Sequence, residues 1–593
     1  MKSNITKKMF NGALFVLITS QLSSALIVII DGLLTSRYLG AEMMGAQGIG
    51  SVYFTMISFV ACLLSIGCQI LTVQYLSKCS KDSARNIVTT SCIVGFILSI
   101  LITLIIWIFP NGVAVLFGAP NGSLIQQYVA DYLKGVSLGA CGYVLYIILS
   151  RIVQLDGGGK LCTLTSIILV IVDIICDIVF GILLKMNLFG MGLASAISHI
   201  LASLIMLIYM FSKRCNIKFN FKKLNFKYLG KVFINGIPRA VSMISRSIGP
   251  IILNVIILNI LVNGASSTIG MSVLSIQNSN SYMVTSIAYS LGGSILLIGT
   301  FYFNERNYTE FKETINIVLK KLLFFVLPFT LLLVLASPLI VRIYISDWQT
   351  NDYFYKLSIT SLRCYFSSLP FLAFNICFSN FMQTISKKVI TNILNFISEC
   401  LCQVLACFVL SRFLGYLGFF LGFLVGQAVL TLILGTIILI NHLSTSNKYQ
   451  KFFLPKDFIK ENNVTIEQTI HTIEESIKLS ETIRTLKNVK LDSKKLYKLA
   501  LCIEEICVNI ITHGFNKDNK KHSIILKVII DENSIILTIT DDCKMFDITK
   551  KLETMEVDPK HPEKNVGIRM IMALSKGIHY SNIMNMNNLQ III

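Results

Sequence analysis

Apolar and polar positions divide this chain into two unlike parts. Up to residue 442, long apolar runs recur at approximately 12–36, 46–76, 87–109, 126–153, 162–184, 190–212, 232–262, 267–300, 316–341, 354–384, 388–411 and 416–442. A helix needs about 20 mostly apolar residues to cross a bilayer, so each run predicts one span. Basic residues punctuate alternate gaps. Lys2, Lys7 and Lys8 precede the first run, and Lys78, Lys81 and Arg85 follow the second. Arg151 and Lys160 flank the loop after the fourth; Lys213, Arg214, Lys218, Lys222, Lys223, Lys227 and Lys231 follow the sixth. Lysine and arginine collect in cytoplasmic loops, so both termini are expected in the cytoplasm of a multi-pass cell-membrane protein. Trp107 and Trp348 fall near span ends on the opposite side, where amphipathic rings settle.

Beyond residue 445 the pattern changes. Residues 446–463 are polar and predict a linker, and 464–593 predict a soluble α+β domain. The segments 466–487 and 493–512 have helical spacing. Ile524–Ile530 and Ile535–Thr540 are short and β-branched, which predicts an antiparallel hairpin. A helix is expected at about 567–576 and a last strand at 588–593.

The basic loop at 213–231 splits the twelve runs six and six, giving lobes at about 1–212 and 232–442. Gln154-Leu-Asp-Gly is echoed 229 residues later by Gln383-Thr-Ile-Ser, and Glu399 follows Asp173 by 226 residues. Six spans per half is an even number, so the halves share one orientation, with a substrate cavity expected between them.

Composition agrees. Of 593 residues, 54% are hydrophobic and only 14% charged, against roughly 25% charged in soluble proteins. An ordinary soluble enzyme is excluded. The net charge of +20 does not require nucleic acid, because basic loops fix topology and meet anionic lipid. The 16 cysteines are scattered and form no C-x-x-C pair, so reduced, buried thiols are expected rather than a zinc site.

An ionisable group within a span is a functional suspect by default. Asp31 lies in the first run, and Asp173 and Asp177 share one helical face of the fifth by their i, i+4 spacing. Clustered carboxylates offer hard oxygens to Na⁺ or accept H⁺. The competing reading pairs them with Arg239, Arg246 or Arg363, or places them in water at a span boundary. Glu399 in the eleventh run is a second candidate. Arg246, deep in the seventh, suggests a cavity role, whereas Arg239 can snorkel to the interface. His199 reads more simply as an interhelical hydrogen-bonding residue than as a proton relay.

Three strings carry a resemblance over residues 1–445: Val28-Ile-Ile-Asp31-Gly-Leu-Leu-Thr-Ser-Arg-Tyr-Leu-Gly40, Gly190-Met-Gly-Leu-Ala-Ser-Ala-Ile-Ser198 and Gly236-Ile-Pro238. In order and spacing this part resembles the multidrug and toxic compound extrusion (MATE) transporters. The resemblance implies cation-coupled antiport of small organic molecules by alternating access. It also implies a cation site in the N-terminal lobe built from Asp31, Asp173, Asp177 and the hydroxyl of Ser195. Ser386 replaces a glycine usual in the loop before the eleventh span, and arginines stand on the seventh span where an acid is usual.

In the tail, Leu499-Ala-Leu-Cys-Ile-Glu504-Glu505-Ile-Cys-Val-Asn509 places Glu505 and Asn509 on one helical face. Asp541-Asp-Cys follows the hairpin, and Val566-Gly567-Ile-Arg opens the next helix. Residues 464–593 thereby resemble the GHKL (Bergerat-fold) ATPases, and among them the anti-sigma-factor kinases. The resemblance implies ATP and Mg²⁺ as ligands. Glu505 would be the general base, Asn509 the Mg²⁺ ligand, Asp541 the adenine contact and Gly567 the phosphate approach at a helix N-terminus. Cys543 stands where the family has glycine, and Asn565 and Val566 where its lid has more glycines.

These readings combine into an α-helical membrane protein of twelve spans in two MATE-like six-helix lobes, followed by a cytoplasmic GHKL-like α+β module. The expected function is Na⁺- or H⁺-coupled export, with the tail either regulating the carrier or reporting its state to a soluble partner protein, and retaining at most weak ATPase or serine kinase activity. Two alternatives stay open: a ligand sensor built on a transporter fold, and a flippase for lipid-linked substrates.

Overall fold

The computed structural model describes residues 4–593 except 40, 79, 120, 214, 222–223, 259–266, 345–351, 448, 456–457, 459–463, 486–492, 516–521, 531–534, 545–565 and 585. Lys2, Arg214, Lys222, Lys223, Trp348 and Asn565 of the sequence reading lie outside the described residues.

The chain is helical almost throughout from Asn4 to Ser444. Among the described residues nine helices are long and apolar enough to cross a membrane, and a pair bent by 49°, Leu124–Ser137 with Ala140–Leu155, makes ten. Two local features separate this count from the twelve apolar runs. Lys388–Ser444 is one helical stretch of 57 residues, but it breaks at Gly415 (φ 58°, ψ −135°), a backbone shape that glycine permits because it lacks Cβ. The run at 354–384 divides at Ser368 into Asp352–Ser367 and Leu369–Thr384, each 16 residues. Neither piece reaches spanning length alone.

The two halves repeat one another in detail. Gln154 Nε2 donates to the Ala13 carbonyl at 3.3 Å, and Gln383 Nε2 donates to the Asn235 carbonyl at 3.0 Å. Each bond ties the end of a half's fourth run to its first helix. Gly157 (φ 92°) and Ser386 (φ 64°) occupy the same left-handed turn position in the two halves. Both fifth-run helices switch to π-helix, at Asp177–Leu183 and Ile397–Leu401. The halves meet where Val52–Ser77 packs along Leu229–Leu258. A Cβ on Gly67 would lie 2.0 Å from the Val232 carbonyl oxygen, and one on Gly236 1.9 Å from that of Leu63. Only glycine allows that approach.

The tail is a five-stranded antiparallel sheet of β1 (Val464–Ile470), β2 (Ile524–Ile530), β3 (Ile535–Asp541), β4 (Gly577–Ile583) and β5 (Met586–Ile592), in the order β1-β2-β3-β5-β4. The hairpin, the helix (Val566–Leu574) and the last strand stand where the sequence placed them. Residues 466–470 do not continue a helix. They alternate, with Ile466 and Ile470 in the core and Glu467 on the other face, and that period of 2 builds β1. Thr472 then caps the helix Ile473–Arg484 by accepting from Glu475 N at 3.3 Å.

One sheet face packs on the helices Ile473–Arg484 and Ser493–Gly514 through Leu526, Val528, Leu537, Ile539 and Ile503. The other is laid on the membrane domain. Ile525, Ile583 and Met586 join that domain's apolar core. Met584 N donates to the Leu155 carbonyl at 2.6 Å, and Lys8 pairs with Asp542 at 2.9 Å. Asn588 Nδ2 donates to Glu305 Oε1 at 2.7 Å, and Lys527 Nζ to the Glu305 carbonyl. Glu467 accepts from Tyr308 N at 3.1 Å and Thr309 N at 2.9 Å. The sheet therefore touches both lobes, the first through Lys8 and Leu155, the second through Glu305, Tyr308 and Thr309.

Left-handed backbone disfavours a side chain, so Ser386→Gly should stabilise the protein by about 1 kcal/mol. Thermal unfolding of the detergent-solubilised chain checks this: the midpoint should rise, whereas Ser386→Ala should not raise it.

Candidate functional site

The first-lobe pocket is built by three helices. Asn4–Leu34 carries Asp31, Gly159–Cys176 with its π-helical continuation carries Asp173 and Asp177, and Asn187–Phe211 carries Ser195, Ser198 and His199. Asp31 is 7% exposed, and Asp173 and Asp177 are 0% exposed. One carboxylate oxygen from each lies within 4.8 Å of the others. Ser198 Oγ donates to Asp173 Oδ1 at 2.9 Å, and His199 Nδ1 bonds the Ser195 carbonyl at 2.7 Å. Asp31 Oδ1, Asp173 Oδ2, both Asp177 oxygens, Ser195 Oγ and Thr35 Oγ1 have no hydrogen-bond partner. None of Arg239, Arg246 or Arg363 reaches these acids; Arg363 Nε donates to Ser337 Oγ at 3.3 Å instead.

Buried charge without a partner is costly, so three close carboxylates require a cation or protons to balance them. Their spare oxygens, with those of Ser195 and Thr35, are hard donors of the kind that Na⁺ takes. Helix regularity is interrupted at this pocket. Thr35–Leu39 and Asp177–Leu183 are both π-helical, and π segments recur at functional sites. Sequence reasoning brought Asp31, Asp173, Asp177 and Ser195 together. It missed Ser198, one turn from Ser195, and Tyr132, which packs beside the three acids. The small spacing Ser195-x-x-Ser198 was the available signal for the first; nothing local marks Tyr132.

Glu399 stands elsewhere, in the second lobe. It accepts from Ser242 Oγ at 3.1 Å and from the Tyr289 hydroxyl. Arg239 and Arg246 lie over the Tyr289 ring, at 4.1 and 4.9 Å from its centroid. The second lobe thus has a hydrogen-bonded acid among arginines where the first has three unpaired acids.

In the tail, Asn509 Nδ2 donates to Glu505 Oε1 at 3.0 Å, so the carboxylate and the amide are bonded to each other. Asp541 is buried, and its Oδ1 accepts from Asn587 Nδ2 and from Cys543 N, both at 2.9 Å. Burial pushes the Asp541 carboxyl upward, against the pull of these donors. The Cys543 thiol packs on Gly514, where a Cβ would lie 2.9 Å from its sulfur. Gly567 is the second residue of the helix Val566–Leu574, and residues 545–565, which precede it, lie outside the described residues. Asn587 and Gly514, both unforeseen, complete this corner.

A bilobed helical membrane domain with a buried acidic pocket, joined to an α+β domain, describes a membrane transporter with an appended second domain. Residues 17–179 and 239–409 match the MatE family model, and the chain belongs to that family. Residues 476–593 match the histidine kinase-like ATPase domain. The multidrug export protein MepA of Staphylococcus aureus is 24% identical over 261 residues, covering 43% of this chain and 56% of that protein. The chain therefore spans about half the length of that relative. MepA of Staphylococcus haemolyticus is 24% identical over 373 residues, covering 61% of this chain and 79% of that one. Among solved structures, a multidrug resistance MATE transporter in its outward-facing conformation superposes with a TM-score of 0.67 at 20% identity, covering 74% of this chain and 97% of that one.

At the docking surface, burial pushes Glu305 up to about 8 from an ordinary 4.5 and Lys527 down to about 8 from 10.5, each opposed by the other's charge. Docking therefore takes up a proton at Glu305, a contribution present in full below 4.5 and lost as pH rises through 8. Lys527 works oppositely, and its cost fades only above 8. Docking should be weakest near pH 8 and strengthen toward pH 6. Intrinsic-rate-corrected hydrogen exchange of β2 and β5 in the full chain measures this, and Glu305→Gln should flatten the profile below pH 8.

Proposed function

We propose that the protein is a cation-coupled exporter of small organic molecules with twelve spans, both termini in the cytoplasm and a tail that regulates the carrier. The observation that carries this reading is the trio of buried, unpaired carboxylates at Asp31, Asp173 and Asp177. A bound Na⁺ or proton supplies the positive charge that lets three acids share one dry pocket. Asp31 and the Asp173–Asp177 pair sit on different helices, so balancing their charge draws those helices together, and the π segments beside them give the chain freedom to bend. The export of drugs by the MepA relatives supports the choice of small organic substrates.

The tail's placement supports regulation. The sheet bridges the two lobes on the side where the Gly67 and Gly236 contacts close them. Alternating access has to part that contact, and a docked sheet opposes it. Nucleotide binding at Asp541 is the natural control, because Asp542, its neighbour, holds Lys8 of the first lobe. Glu505 bonded to Asn509 and the thiol at Cys543 favour binding over rapid phosphate transfer.

Reconstituted in proteoliposomes with imposed Na⁺ or pH gradients, the wild-type chain should move substrate. Asp31→Asn, Asp173→Asn and Asp177→Asn should each lower gradient-driven flux by tenfold or more, and any double variant should be no worse, since all three serve one site. Normal flux in all three single variants would make the acids structural and end the coupling reading.

Calorimetry on the full chain tests the tail. ATP with Mg²⁺ should bind weakly, Asp541→Ala should weaken it at least tenfold by removing the adenine acceptor, and Asn509→Ala should remove the dependence on Mg²⁺. Indifference of the wild-type chain to millimolar ATP would leave the tail a protein-contact module only.

A further inference from the structure

The charge inside the membrane domain is segregated in a way that the coupling pocket does not use. The acids of the first lobe are gathered at Asp31, Asp173 and Asp177. The interface between the lobes is basic. Arg239 and Arg246 project from Leu229–Leu258 onto the Tyr289 ring, and Arg246 also neighbours Tyr365. Arg151, from the first lobe, neighbours Arg239, and both neighbour Cys62 of the Val52–Ser77 helix. Two guanidiniums therefore lie over one aromatic ring, and a third, from the other lobe, neighbours the first of them. The acid among them, Glu399, already accepts bonds from Ser242 and Tyr289.

The balance is a surplus of positive charge. Among the described residues no carboxylate forms an ion pair or hydrogen bond with Arg239 or Arg246; Glu399 lies near enough to act on both through its charge, and the Cys62 thiol also lies beside Arg239. All three arginines are half-buried rather than sealed in. Stacking on an aromatic ring uses the face of a guanidinium and leaves its edge free. That edge carries a fork of N–H donors matched to the oxygens of a carboxylate, sulfonate or phosphate. A cationic solute would instead face repulsion from the net positive charge that remains after Glu399 offsets one arginine, in a medium of low dielectric.

Building on the efflux reading, we propose that the substrate is an amphipathic organic anion, its acidic group held by Arg239 and Arg246 and its apolar body against Tyr289 and Tyr365. Coupling cation and substrate anion would then occupy opposite sides of the domain's charge division. Glu399 limits the affinity of the basic site by offsetting one of its charges.

Two dyes that share a xanthene ring system test this: fluorescein, an anion, and rhodamine 123, a cation. Fluorescence anisotropy on the full chain in a neutral detergent at pH 7.4 gives both affinities. Fluorescein should bind at least tenfold more tightly than rhodamine 123. The Arg239→Gln/Arg246→Gln double variant should weaken fluorescein at least tenfold, and Glu399→Gln should tighten it about threefold or more, a gain that misfolding cannot mimic. Tighter binding of rhodamine 123, no detectable binding of either dye at millimolar concentration, or fluorescein binding unchanged in the double arginine variant would overturn the proposal. Should that variant lose its fold, Glu399→Gln decides alone, and unchanged or weaker fluorescein binding overturns it. Binding is separate from transport: fluorescein bound as expected but not moved by a cation gradient would sink the efflux reading and leave the anion site standing.

Discussion

Charge that is removed from water must be balanced where it lies, and this constraint organises the membrane domain. Its first lobe gathers three carboxylates with spare oxygens, and its second surrounds one hydrogen-bonded carboxylate with arginines. Neither arrangement is self-sufficient. The first lacks a positive charge and the second has too many. Two opposite imbalances in one domain are what the proposed coupling cation and organic anion would balance, whereas a purely structural network would have paired Asp173 with Arg239 and left nothing over.

The helices serve that arrangement through small departures from regularity. Both fifth-run helices pass into π geometry beside an acid, and the second half breaks at Gly415 where the backbone requires glycine. Gly67 and Gly236 bring the two lobes into backbone contact, which no side chain allows. These positions concentrate the freedom and the closeness that a two-lobed carrier needs, while the rest of the helical surface is ordinary apolar packing.

The tail extends the same logic across domains. A sheet with helices on one face usually leaves the other to water; here that second face carries Lys527, Glu467 and Asn588 onto the turn at Glu305–Thr309. Polar side chains of this kind are tolerated here because Lys527, Glu467 and the Asn588 amide nitrogen each find a partner on that turn. The consequence is a direct link between the end of β3, at Asp541 and Asp542, and the first helix through Lys8.

Much of this was legible in the sequence because the bilayer imposes it residue by residue. Length and apolarity fix where helices cross, the period of 2 at Ile524–Ile530 fixes a strand, and the i, i+4 spacing of Asp173 and Asp177 fixes their shared face. Glu467 shows where such reasoning stops: it sits in a segment whose spacing also suits a helix, and only pairing with β2 made that segment a strand. Whether Glu399 joins the other acids or stands among arginines was likewise undecided, since its spacing from Asp173 says that the positions correspond and not what surrounds them. Local pattern is set by the chain's own geometry and by water or lipid. Charge neighbourhood is set by contacts between residues hundreds of positions apart, as between Lys8 and Asp542, and those exist only once the helices and the sheet have packed.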